Sequence, residues 1–225
     1  MSKFFNPDNA FFRVMGKIID AFYLSLMWMA FCLPLVTAGA STQALYYTAH
    51  KSLKGDRGYV WESFWNSFKD HIKESILISV ILEIFFVLVT IDKIMMKDWM
   101  QQPVANAAVF GVMYYVFFVL QFVIIVWFVE VSCYRARFNM DWKGSLKNSA
   151  KIAVAYLPTS VLTVIVLIAA ALGIYIFPIS VIFMPAIVAL VLDYMYERIY
   201  RKLMTDEERE LEEAYDRDRK KPSGV

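Results

Sequence analysis

Five long apolar segments dominate the pattern of hydrophobic and polar positions along the chain. They cover approximately residues 21–36, 76–95, 107–131, 152–176 and 179–192, and Tyr194 and Tyr196 extend the last of them. A helix needs about 20 mostly apolar residues to cross the bilayer core, because each residue rises only about 1.5 Å. The sequence therefore predicts an all-α, polytopic helical membrane protein with about five transmembrane helices.

Two shorter segments have the pattern of amphipathic helices. Trp61, Phe64, Trp65 and Phe68 fall at i, i+3, i+4 and i+7, which places them on one helical face. A second segment, near residues 142–154, has apolar residues at similar spacing. Each of these two amphipathic segments precedes a span that is predicted to run from the cytoplasmic side of the membrane to the outside. We expect two elbow helices on the cytoplasmic side, lying on the membrane surface or against a partner protein.

The basic residues are distributed unevenly between the two predicted sides of the membrane. With five spans, eighteen lie in the first loop, the third loop and the tail, and five lie on the opposite side, which are Lys3, Arg13, Lys17, Lys93 and Lys97. The positive-inside rule then predicts an outside N-terminus and a cytoplasmic C-terminus in a bacterial cell membrane. We divide the chain into one transmembrane domain, residues 1–204, and a charged cytoplasmic tail, residues 205–225.

One alternative concerns the first span. Ala38-Gly39-Ala40 follows an apolar run and resembles a signal-peptidase site. Cleavage would leave four spans and would place the basic first loop outside. The charge distribution therefore favours an uncleaved first span.

Composition excludes several classes of protein. Hydrophobic residues make up 59% of the 225-residue chain and charged residues 20%, so neither a disordered chain nor a soluble globule of this size is expected. The net charge of +2 is too small to indicate a nucleic-acid partner. The lipid bilayer is the partner that the composition predicts directly.

The sequence contains no recognisable catalytic or metal-binding motif. No glycine-rich phosphate loop occurs, and no Ser/His/Asp arrangement can be assembled. Cys32, His50, His71 and Cys133 lack the spacing of a zinc site. We therefore predict no enzyme activity, no cofactor and no metal.

Polar residues within or near the spans are the remaining candidates for chemistry. Glu83 and Gln121 lie near the middle of the second and third spans, where they form either a structural clamp or a substrate or proton site. Three acidic residues near span ends are predicted to be anchors that either reach the lipid headgroups or pair with Lys17, Arg135 and Arg198. These acidic residues are Asp20, Glu130 and Asp193. We also predict an interfacial belt of three tyrosines, formed by Tyr194, Tyr196 and Tyr200.

The segment from Leu33 to Tyr47, LPLVTAGASTQALYY, resembles the signature of the YesL family of bacterial integral membrane proteins, which is built on a domain of unknown function. Further similarity lies at residues 58–69, at 146–150 and at Leu157-Pro158. The motif positions carried over to this chain are Pro34, Thr37, Gly39, Ala40, Leu45, Tyr46, Phe64, Lys69 and Pro158. Pro34 is predicted to end or kink the first span, and Gly39 and Ala40 permit either a sharp turn or a close contact between helices.

The resemblance implies a role associated with carbohydrate transport. Genes of this family tend to lie next to those of carbohydrate ABC importers, so we expect an accessory or regulatory component that contacts permease subunits. The family supplies no catalytic or binding residues. The alternative is a small transporter or channel acting on its own as a homo-oligomer, with Glu83 and Gln121 at the midplane.

Overall fold

The computed structural model describes residues 10–70, 72–101, 107–138, 140–206, 209–210 and 214. Within these ranges the chain forms eight α-helices and no strand, which confirms the predicted all-α fold. The helices are α1 (Ala10–Cys32), α2 (Ala38–Thr48), α3 (Val60–Asp70), α4 (Ile72–Met100), α5 (Ala107–Arg137), α6 (Trp142–Ala155), α7 (Leu157–Ile176) and α8 (Met184–Leu203). A π-helical segment, Ala49–Lys54, continues α2.

Four helical segments among the described residues are long and apolar enough to cross a membrane: Val14–Cys32, Ile72–Met100, Ala108–Arg137 and Leu157–Ile176. They overlap the first four predicted spans, although the first ends at Cys32 and the fourth begins only at Leu157, after α6. The fifth predicted span begins with a short 3-10 segment, Pro178–Ile182, and continues as α8. Helix α8 does not end at Leu192 but extends to Leu203, and its second half is rich in charged residues. Helix α8 is therefore not one of the four segments that are long and apolar enough to cross a membrane.

Helices α1 and α2 form the two arms of a hairpin. Trp28 Nε1 donates to Thr42 Oγ1 across the arms at 3.2 Å, and Thr37 Oγ1 donates to the Phe31 carbonyl oxygen at 2.6 Å. Pro34 begins the turn between the arms, as the sequence predicted, because proline does not continue a helix. Leu33 in this turn is 83% exposed, so the tip of the hairpin is apolar.

The hairpin changes the predicted path of the chain. Because α2 and the π-helical segment run back along α1, Lys17 near the start of α1 pairs with Asp56 beyond the π-helical segment at 2.9 Å. From the sequence, Lys17 and the loop containing Asp56 were predicted to lie on opposite sides of the membrane. That relative placement was wrong, because the segment after α1 is the second arm of a hairpin and returns the chain to the start of α1.

Close packing joins α2 to α4. The Gly39 backbone N–H donates to Ser79 Oγ at 2.8 Å. A Cβ atom on residue 39 would lie 2.1 Å from that oxygen and 3.2 Å from the Ser75 carbonyl oxygen. Glycine is required here because of the close approach of the two helices, which is one of the two roles that the sequence allowed for this motif position.

The two predicted elbow helices are present as α3 and α6. Phe64 and Phe68 of α3 are buried, and both rings pack against Phe31 of α1, with centroids 5.7 and 5.0 Å away. The predicted apolar face of α3 therefore packs largely within the protein, while Trp61 at its start stays exposed. Most of the tail, residues 205–225, and His71 lie outside the described residues, so the predicted division into two domains stays a prediction.

Candidate functional site

Charged side chains from three elements meet where α8 passes the π-helical segment and the end of α5. On α8, Asp193 and Glu197 lie one turn apart on the same face, and both are buried. His50 and Lys54 lie four residues apart on the facing π-helical segment. We call these residues, together with Arg137 and Arg201, the charged cluster.

Asp193 is the centre of the charged cluster. Its Oδ1 lies 2.6 Å from His50 Nδ1, and its Oδ2 accepts from Lys54 Nζ at 2.5 Å. Asp193 lies outside the four membrane-crossing segments and its side chain is 0% exposed. Burial raises the pKa of its carboxyl group, but the hydrogen bonds from His50 and Lys54 and the positive charge of Lys54 outweigh burial and hold that pKa below its usual value.

Arg137, the last residue of α5, connects the cluster to that helix. Its NH1 lies 3.0 Å from His50 Nε2, and its NH2 donates to Glu197 Oε1 at 3.1 Å. A guanidinium group has no acceptor, so His50 Nε2 must accept and Nδ1 must carry the hydrogen donated to Asp193. The hydrogen-bond network thus selects one tautomer of His50 and links α5, the π-helical segment and α8.

A metal site is the obvious alternative use of such a cluster. One ligand atom each from His50, Asp193 and Glu197 lie within 4.8 Å of one another. Lys54, Arg137 and Arg201 already pair with the two carboxylates, however, and a divalent cation would have to compete with these three positive charges. The arrangement is suited to locking three elements together. This cluster was not predicted from the sequence, and the absence of a metal stays a prediction.

A second buried network surrounds Arg135, two residues earlier on α5. Its NH2 donates to Glu74 Oε2 at 2.9 Å, and its NH1 donates to Ser145 Oγ at 3.2 Å. Gln43 of α2 lies beside it and accepts a hydrogen bond from Ser75 at 2.6 Å. The predicted pairing of Arg135 with Glu130 was wrong. Arg135 instead holds α2, α4 and the elbow helix α6 to the end of α5.

Glu130 is a buried hydrogen-bond acceptor and not an interfacial anchor. Its Oε1 accepts from Ser160 Oγ at 2.6 Å and from Tyr196 OH at 2.8 Å. Tyr196 and Tyr200 are both buried, and only Tyr194 of the three tyrosines predicted to form an interfacial belt is exposed. The prediction failed for the other two because α8 packs its tyrosine face against α5 and α7.

The other predicted anchors and the Glu83–Gln121 clamp also differ from expectation. Gln121 is buried, but it bonds to Thr90 and Lys93 of α4, with its Nε2 donating to Thr90 Oγ1 at 2.6 Å. Among the described residues no hydrogen bond joins Gln121 to Glu83, which is partly buried and lies about two to three turns before Thr90 and Lys93 on α4. Lys17 pairs with Asp56 and not with Asp20.

The aromatic side chains of α3 divide into a buried and an exposed set. Trp61 stacks on Trp65 with ring centroids 5.7 Å apart, and Lys69 Nζ lies 4.6 Å from the centre of the Trp65 ring. Tyr59, just before the helix, is 81% exposed, and Trp61 is 48% exposed. We call Tyr59, Trp61, Trp65 and Lys69 the aromatic edge. Of the remaining motif residues, Ala40, Leu45 and Tyr46 are buried, and Pro158 lies in the first turn of α7.

Comparison with known proteins adds one finding. Residues 21–93 match the model of a family described as protein of unknown function, DUF624. The matched range contains the Leu33–Tyr47 motif and α3 but not the similarity noted at 146–150 or at Pro158. No curated protein and no solved structure matches the chain. The chain is thus similar, over about a third of its length, to a family of unknown function, and it has helices long and apolar enough to cross a membrane.

Proposed function

We propose that this chain is a non-enzymatic membrane component that assists a carbohydrate ABC importer by docking on its permease subunits. The class of partner comes from the resemblance of the Leu33–Tyr47 motif to the YesL family. The observation that carries docking is the aromatic edge, because exposed tryptophan and tyrosine beside a cation are the side chains that most often anchor protein interfaces.

The cavities favour this role over transport through a single chain. Three large clefts among the described residues are lined almost wholly by apolar side chains of α1, α2, α5, α6, α7 and α8. A further cleft, of about 390 Å³, is partly polar, with Asn148, Lys151 and Thr205 in its lining. The buried side chains of Arg135, Asp193 and Glu197 are paired with oppositely charged groups. A hydrophilic solute would find few polar groups along such surfaces.

We further propose that the charged cluster faces the cytoplasm of a bacterial cell, with both ends of the chain on that side. The ion pair between Lys17 and Asp56 supports a cytoplasmic N-terminus, in place of the outside N-terminus that the five-span pattern predicted. Every basic residue except Lys93 and Lys97 then lies on one side, so the positive-inside bias becomes stronger than with five crossings.

Copurification tests the docking proposal. We expect the tagged chain in mild detergent to retain permease subunits, and Trp61→Ala to reduce the retained amount at least tenfold, as loss of an aromatic anchor does. Tyr175→Ala is the matched control, because Tyr175 is 85% exposed but lies at the far end of α7. Sugar uptake should fall in a deletion strain.

Two results would contradict the proposal. One is the absence of permease subunits from the purified sample together with normal sugar uptake in the deletion strain. The other is solute flux through reconstituted vesicles that Glu83→Gln abolishes, which would support the small transporter instead.

A further inference from the structure

Three lysines form a row on the exposed side of the elbow helix α6. Lys143, Lys147 and Lys151 follow one another at intervals of four residues, so they lie on one face of the helix, and all three are exposed. The opposite face packs into the protein through Ser145, Ser149 and Ile152, which are buried. We call the three lysines the lysine row. The docking proposal does not use it.

The lysine row has no acidic partner among the described residues. None of its ammonium groups forms an ion pair or a hydrogen bond there, and Lys143 Nζ lies 5.2 Å from the centre of the Trp142 ring. Asp141, just before α6, is the one acidic residue of the sequence between Glu130 and Asp193. Like charges one turn apart on a helix repel each other, so a row of three favours an anionic occupant.

The other elbow helix carries no such row. Helix α3 contains Glu62, Lys69 and Asp70, so both signs of charge occur on it. An excess of positive charge is therefore a property of α6 and not of the two elbows in general.

The lysine row lies beside the start of a membrane-crossing helix. Helix α7 has 20 residues, or about 30 Å, which is the full thickness of a bilayer core, so α6 must lie outside that core. Val154, on the same face as the lysines, is 71% exposed, and Leu157 at the start of α7 is 58% exposed. The exposed side of the chain thus changes from charged to apolar within six residues of Lys151, as in helices that lie at the headgroups.

We propose that the lysine row binds the phosphate groups of anionic phospholipids, of the phosphatidylglycerol type, in the bilayer around α6. The acyl chains contact the apolar surface that begins at Val154 and Leu157. A zwitterionic lipid is disfavoured, because its cationic headgroup nitrogen would lie beside the lysines. The occupant must therefore combine a net negative charge with apolar chains.

Two lipids that differ in headgroup charge test the proposal. The full chain is purified in mild detergent and titrated with phosphatidylglycerol or with phosphatidylcholine of the same acyl chains. Native mass spectrometry measures the fraction of protein that carries lipid. At low salt we expect phosphatidylglycerol to bind about tenfold more tightly, since the attraction of one or two lysines for an anionic headgroup corresponds to about this factor.

Three variants make the result specific to the lysine row. Glutamine at positions 143, 147 and 151 should lower the ratio of affinities to less than about threefold, and arginine at the same positions should keep it near tenfold. The matched control is the triple variant Arg219→Gln, Lys220→Gln and Lys221→Gln in the tail, which removes the same number of positive charges and should also keep the ratio.

Glycerol 3-phosphate distinguishes a lipid from a soluble phosphate. It carries the phosphate without the acyl chains, so at equal concentration it should leave phosphatidylglycerol bound. Displacement of the lipid would assign the row to a soluble ligand and would overturn the proposal.

The proposal is also overturned if the unmodified chain binds the two lipids equally, if the glutamine variant keeps the tenfold ratio or if the arginine variant loses it. An equal loss in the tail variant would mean that net charge and not the row selects the lipid. Permease subunits should still copurify with the glutamine variant. If they are lost while the lipid ratio stays at tenfold, the row binds protein instead.

Discussion

Replacing Asp193 with Asn is expected to lower the melting temperature of the detergent-purified protein by about 10 °C. The change removes the charge that Lys54 and His50 contact and leaves those side chains facing a neutral amide. Breaking a buried ion pair lowers the free energy of unfolding by about 3–5 kcal/mol, and we expect the lower value because Lys54 is 40% exposed. For a chain of this length, about 3 kcal/mol corresponds to this shift.

The effect should depend on pH in one direction. The pKa of Asp193 is lowered in the folded protein, so its carboxylate stabilises the fold fully above the unfolded pKa of about 3.9. That contribution is lost as the pH falls through the lower folded pKa. The difference between the melting temperatures of the two proteins should therefore be largest near neutral pH and should narrow below about pH 4.

The matched control is Asp206→Asn, because the Asp206 side chain is 96% exposed and pairs only with nearby Arg209 among the described residues. Its melting temperature should lie within about 1 °C of the unmodified protein. A similarly small shift for Asp193→Asn would mean that the charged cluster does not stabilise the fold. Melting temperatures should be compared at one scan rate, since membrane proteins often unfold irreversibly.

Gly39→Ala is expected to lower the free energy of unfolding by about 2 kcal/mol, which is within the usual range for overpacking. The added Cβ would lie 2.1 Å from Ser79 Oγ and 3.2 Å from the Ser75 carbonyl oxygen, so α2 and α4 must move apart. The measurement is again the melting temperature in detergent, where we expect a decrease of about 5 °C.

Gly16→Ala provides the control, because a Cβ there would meet nothing within 4 Å. It should be neutral or slightly stabilising, since alanine favours helices. Adding Ser79→Ala to Gly39→Ala removes the nearest clashing atom and should recover part of the loss, so the two changes should not be additive. Strict additivity would contradict a direct contact between the two residues.

The helices and the elbows could be predicted from the sequence because both are local patterns. Apolar runs of sufficient length identified α1, α4, α5 and α7, and the spacing of Trp61, Phe64 and Phe68 identified α3. Pro34 marked the end of α1 for an equally local reason. Gly39 was recognised as a possible close contact, although its partner Ser79 could not be named.

The charged cluster could not be predicted, because its members are brought together only by tertiary packing. His50 and Asp193 are 143 residues apart in the sequence. The one available signal was the spacing of Asp193 and Glu197 on the same helical face as Tyr196 and Tyr200, which is typical of a buried polar strip and not of an interface. The hairpin of α1 and α2 was missed because hydropathy does not distinguish one crossing from an arm that returns.

Cysteine accessibility in intact cells tests the central claim, that the start of α1 and the tail lie on the same side as the charged cluster. Single cysteines at Lys17, Lys97 and Arg209 are introduced after Cys32 and Cys133 are replaced, and a membrane-impermeant maleimide is applied before and after permeabilisation. We predict that Lys97→Cys reacts in intact cells, whereas Lys17→Cys and Arg209→Cys react only after permeabilisation. Labelling of Lys17→Cys in intact cells would contradict the account.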